Sequence, residues 1–155
     1  MWNTAFNLAN LLALVMWAAL ILLPRRPFVV TAVLGGGVGL LCLAYALGLV
    51  GLLSGTLGGG GGSGESGAVD FTTIAGVRSI FSTDGGVTIG WIHYLALDLF
   101  TGLWIARDAD ARGFGRVVQA PILLVTFVAG PLGLLVWLGL RLTRRNGAGH
   151  ISLPV

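Results

Sequence analysis

The chain has 155 residues, 55% of them hydrophobic and only 10% charged, with a mean hydropathy of +0.92. A soluble domain carries about 25% charged residues, so there is too little polar surface here to coat a globule, and the class is integral membrane. The formal charge is +3, but every basic residue is Arg and most stand beside apolar runs, as headgroup contacts and topology signals do; nucleic acid is not expected as a partner.

The pattern predicts an all-α polytopic protein, one membrane domain over residues 1–155. A span needs about 20 apolar residues, and four runs qualify: 5–23, 28–53, 87–106 and 117–142. The first ends at Pro24 and Pro27 around Arg25 and Arg26. It lacks a basic leader and a small-residue cleavage site, so it reads as a retained span. Asn7 and Asn10 lie in it one turn apart, placed to line a cavity or to hydrogen-bond a neighbouring helix. The second run holds Gly35 and Gly39 in a GxxxG, a spacing that lets helix backbones approach closely, read here as tight packing within the bundle. Cys42 is the single cysteine and has no intrachain partner. No CxxC or Cys/His metal spacing occurs, and neither metal nor cofactor is expected.

Residues 54–70 are a Gly/Ser-rich linker without the means to bury a core, hence expected to be dispensable. After it Phe71, Ile74, Val77 and Phe81 recur at helical spacing over 71–82, which predicts a short interfacial amphipathic helix. Ser82, Thr83 or Asp84 then supplies the N-cap of the third span.

The third run contains "GWIHYLALDLF", residues 90–100. Asp98 lies near its middle and cannot reach either membrane surface, so it must be neutral, paired or facing a wet cavity. Hydrocarbon favours the protonated form of a carboxyl, which makes Asp98 a candidate proton donor. Trp91 and Tyr94 share its helical face, and Tyr94 is one turn away. His93 lies about 140° round the helix, so the two need not touch: they flank a groove, or one serves the site while the other anchors a neighbouring helix. The competing reading makes both residues interhelical polar links. "RDADARGFGR", residues 107–116, reads as a charged loop. In the fourth run Thr126 is expected to bond its own backbone, and Pro131 to kink the helix. With the N-terminus outside, Arg25, Arg26, Arg107, Arg112 and Arg116 face Arg78, Arg141, Arg144 and Arg145 across the membrane. Five against four barely discriminates, and the PRRP after the first helix tips the balance to N-out.

The stretches "IAGVRSIFSTD", "GWIHYLALDLFTGLWIARDA" and "TFVAGPLGLL" resemble the ABA-deficient-four-like family. Its plant members are chloroplast membrane proteins required for neoxanthin synthesis, and its bacterial members formed a domain of unknown function. The resemblance rests on Trp91, His93, Asp98, Leu99 and Phe100. To these it adds Asp108 or Asp110, Arg112 or Arg116, and Pro131 with Gly133. It implies carotenoid chemistry in the bilayer: an epoxide-to-allene isomerisation of a xanthophyll, or a related carotenoid isomerisation. In that reading Asp98, His93 and Tyr94 are the catalytic candidates. Trp91, Phe100, Asn7, Asn10 and Pro131 contact a rod-like substrate held in a groove near Gly35–Gly39 and Pro131. The alternatives are a non-catalytic subunit that binds a carotenoid or joins a pigment-protein complex, and, less well supported, a small transporter. The partners expected are a lipophilic substrate, membrane lipids and further copies of the chain. The Arg/Gly/Ala-rich composition points to a bacterial inner membrane.

Overall fold

The computed structural model describes residues 1–57 and 72–143; most of the Gly/Ser linker and the tail holding Arg144, Arg145 and His150 lie outside them. All regular structure among the described residues is helical. Helix α1 spans Trp2–Leu22 and stops where Leu23 turns extended ahead of Pro24. Pro27, whose missing N–H is harmless in a first turn, opens α2, Pro27–Leu53. Helix α3 is Ile74–Ile80, capped by the Thr73 hydroxyl on the Gly76 N–H. The expected amphipathic stretch is thus shorter than 71–82, and its Phe71 lies outside the described residues.

The central helix is α4, Asp84–Ala111. Among the three candidate caps, Thr83 accepts the Gly86 N–H at 3.1 Å. "RDADA" continues this helix instead of forming a loop, and the turn comes only at Gly113, with φ +69, a conformation that a Cβ disfavours.

Helices α1, α2 and α4 are each long and apolar enough to cross a membrane. α1 and α4 run parallel: Trp2 packs on Gly85, Trp17 on Gly102, and Arg25 bonds the Ala106 carbonyl. α2 runs against both, with Gly37 on Leu99, Tyr45 on His93 and Gly48 on Ile89. Its segment Ala32–Gly39 is wound as a π-helix, with i→i+5 bonding. That changes the rotation per residue and overturns the GxxxG reading. A Cβ at Gly35 would meet open space, and one at Gly39 only its own chain. Gly37 makes the close approach instead, 2.8 Å from Met16 Cγ to a built Cβ.

The fourth apolar run is not one helix. It forms α5, Arg116–Val128, and α6, Gly130–Arg141, separated by Ala129 at φ −149, ψ 82. With 13 and 12 residues they reach roughly 20 and 18 Å, against a hydrocarbon core of about 30 Å. They are antiparallel. Phe114, just before α5, packs edge-on against Trp137, late in α6, at 5.2 Å, and Gly133 presses on Thr126 near the tip. The run leaves the bundle at the end where it entered. Pro131 marks the reversal: the chain does more than kink there, because a proline near the start of α6 lets a new helix begin.

Candidate functional site

Two carboxylates in the last turn of α4 fasten the hairpin. Asp108 Oδ2 accepts from Trp137 Nε1 at 3.0 Å and from Arg112 Nε at 3.0 Å, and lies 3.4 Å from Arg141 Nε. That ties down α6. Asp110 Oδ1 accepts from Gln119 Nε2 at 2.8 Å and from Arg25 at 2.7 Å. That ties α5 and the α1–α2 turn to the same point. Arg25 also donates to Gln119 Oε1, and Arg116 to the carbonyls of Ile21 and Leu23 at the end of α1. The acidic and basic positions picked out by resemblance therefore form a latch, half-buried at Asp108 and Arg112 and exposed at Asp110 and Arg116. Gln119 and Trp137, its other half, carry no signal in an apolar run except that each needs a hydrogen-bond partner when buried.

The hairpin tip meets Asp98. Gly130 turns its backbone N–H toward the carboxyl group, and a Cβ at Gly130 would overlap it. The logic is that of a helix start. The first N–H groups of α6 lack intrahelical acceptors, Pro131 has none to offer, and a carboxylate is the favoured partner at that end. Here the cap comes from another helix. Oδ2 of Asp98 is buried and has no hydrogen-bond partner among the described residues.

Along α4, residues Val87, Trp91, Tyr94, Asp98, Ile105 and Ala109 fall on one stripe. Where the hairpin packs, the stripe is covered: Asp98 is 8% exposed, Ile105 and Ala109 0%. Beyond the tip it is open: Tyr94 and Trp91 are each 40% exposed and Val87 45%. The half-length helices thus leave a recess in one half of the bundle, with Asp98 at its head. Its wall is aromatic. Trp91 stacks on Tyr94 and on Phe6, with ring centroids 5.9 Å apart in each pair. Trp91 Nε1 donates to Asn10 Oδ1 at 3.0 Å, and Asn10 Nδ2 donates to the Phe6 carbonyl at 2.8 Å. Asn10 is thereby an interhelical link that fixes the indole. In the same half, an apolar groove of about 420 Å³ runs between α1, α2 and α4, lined by residues that include Leu8, Leu41 and Ile89.

The structure separates the remaining sequence candidates. His93 lies on another face of α4, its ring 5.0 Å from that of Tyr45, and does not meet Asp98. Asn7 is exposed and has no hydrogen bond among the described residues. Phe100 is exposed on the side of α4 away from Asp98. Pro131 is exposed beside the tip. The expected groove joining Gly35–Gly39 to Pro131 is absent among the described residues, because Gly35 and Gly39 face outward. Thr126 bonds its own Ile122 carbonyl at 2.7 Å, as expected.

Three long helices with a half-depth helical hairpin packed on the central one, and one buried carboxyl at the hairpin tip, fit a small polytopic membrane protein. The profile of the family described as ABA DEFICIENT 4-like matches residues 4–137, and the chain belongs to that family. No curated protein and no solved structure gives a match.

Proposed function

We propose that the chain is a membrane-embedded isomerase acting on a carotenoid, of the epoxide-to-allene or a related type. Family membership supports the substrate class. The observation that carries the chemistry is the buried Asp98 carboxyl, its Oδ2 without a partner among the described residues, under the hairpin tip where the exposed aromatic stretch of α4 begins. A xanthophyll ring would stack on Trp91 and Tyr94, with its polyene along the apolar surface. Such an isomerisation neither gains nor loses electrons or protons. One carboxyl can therefore do both steps: protonated Asp98 gives its proton to the epoxide oxygen, the C–O bond breaks, and the carboxylate takes up the proton released from carbon. This acid–base cycle leaves Asp98 as it began and does not require His93 nearby. Tyr94, one turn away, would hold the oxygen. The setting is a bacterial inner membrane, in which the hairpin end faces the cytoplasm.

The test is pigment analysis of carotenoid-producing cells with and without the protein. Conversion is expected with the wild type and should fall roughly 100-fold or more in Asp98→Asn, the scale of lost general acid catalysis, with insertion and yield unchanged. Asn keeps an acceptor for Gly130 and loses only the proton. Near wild-type conversion by Asp98→Asn would remove Asp98 from the chemistry.

A second reading is favoured by the Gly130 contact itself. If Asp98 serves only as the cap of α6, the chain is a non-catalytic carotenoid-binding or pigment-complex subunit. Pigment would then co-purify unaltered with wild type and Asp98→Asn alike.

A further inference from the structure

We infer that the chain binds an anionic phospholipid in a groove on the opposite side of α4 from Asp98. The groove holds about 340 Å³ between Leu34 of α2 and Phe100, Leu103, Trp104, Arg107 and Asp108 of α4. Its polarity is graded along the helix. Arg107 and Asp108 stand near the end of α4, level with the Arg25–Arg26 turn. Trp104 comes next, and Phe100, Leu103 and Leu34 lie deeper. A headgroup, an interfacial aromatic and an acyl chain are arranged in that order in a bilayer.

The charge at the rim selects the sign of the headgroup. The Asp108 carboxylate is already engaged by Arg112, Arg141 and Trp137. The Arg141 guanidinium also sits 5.3 Å from the centre of the Trp104 ring, which adds a second cation beside the groove. Arg107 is exposed and has no ion pair or hydrogen bond among the described residues. An unpaired guanidinium beside a partly exposed indole fits a phosphate oxygen, which Arg binds in fork geometry. The apolar length below it, with Phe100 and Trp104 both exposed, rules against free phosphate as the occupant. The ligand chemistry is a phosphodiester carrying acyl chains and a net negative charge, and its place is the seam between α2 and α4.

The experiment is native mass spectrometry of the full chain purified in a non-ionic detergent, paired with melting in nanodiscs of defined lipid. Wild type is expected to retain phosphatidylglycerol and to melt several degrees higher in phosphatidylglycerol discs than in phosphatidylcholine discs. Inorganic phosphate added to phosphatidylcholine discs should not reproduce the shift. Arg107→Gln should lower retained phosphatidylglycerol about five-fold or more and abolish the difference between discs. Arg107→Lys, which keeps the charge, should retain most of it, and Arg78→Gln, far from the groove, should match wild type. The inference fails if phosphatidylcholine is retained equally, if phosphate alone gives the shift, or if Arg107→Gln behaves as wild type. It does not depend on pigment conversion, since Arg107 lies away from the Asp98 recess.

Discussion

Geometry sets the residue at position 130: its α-carbon must leave room for the Asp98 carboxyl. Gly130→Ala puts a methyl into the space that the carboxyl occupies. Overpacking of this kind costs about 1–3 kcal/mol. The melting temperature in detergent should therefore fall, and pigment conversion should fall with it, because the carboxyl is pushed from the tip. Melting of Gly130→Ala at the wild-type temperature would show that the contact is slack. The sequence pointed to Asp98 because a mid-span carboxylate is costly to bury. It could not show which backbone group meets that carboxylate, because Gly130 lies 32 positions away and glycines are frequent in this chain. Asn10 was legible in part: an amide in a span seeks a partner, and the partner is Trp91. Of the two readings of His93, its contact with Tyr45 of α2 fits the one that sets it against a neighbouring helix, and which helix that is carries no local signal.

At the level of elements, α1, α2 and α4 follow from hydropathy alone, with ends set by Pro24, Pro27, Thr83 and Gly113. The hairpin does not. Residues 117–142 are apolar throughout and long enough to span, and hydropathy averages over a chain reversal without registering it. What distinguishes the hairpin is polar: Gln119 and Trp137 need buried partners, and Asp108 and Asp110 supply them at one end of α4. That pairing yields a prediction. Asp108→Ala leaves the Trp137 N–H and Arg141 without their acceptor, at a cost of about 1–3 kcal/mol. Trp137→Phe removes one of those bonds and keeps most of the ring. Thermal unfolding followed by tryptophan fluorescence should rank wild type above Trp137→Phe and that variant above Asp108→Ala. Equal midpoints for all three would mean that α6 is held by apolar packing alone.

For the whole molecule, the hairpin leaves three described helices long and apolar enough to cross a membrane, where the sequence suggests four. The described termini then fall on opposite sides, and so does the charge. Arg25, Arg26, Arg107, Arg112, Arg116 and Arg141 gather at the hairpin end, and Arg78 alone lies at the other. The near balance read from four spans becomes a six-to-one bias among the described residues, which the positive-inside rule converts to N-out with the hairpin end cytoplasmic. A green fluorescent protein fused after residue 143 is expected to fluoresce in bacterial cells, and alkaline phosphatase at the same point to be inactive. The same phosphatase fused at residue 57, past α2, should be active. An active phosphatase after residue 143 would restore the fourth crossing.

The half-length hairpin also gives the molecule a shape. Five helices cross the leaflet at the hairpin end and three cross the other. At roughly 10–12 Å per helix diameter, each helix occupies about 95 Å² in the membrane plane, so the two leaflets accommodate cross-sections of roughly 475 and 285 Å². The protein is a wedge. Acyl chains must spread to fill the narrow side, where the recess below Asp98 opens. An acyl chain or other apolar solute that fills the gap lies against the exposed rings of Trp91 and Tyr94.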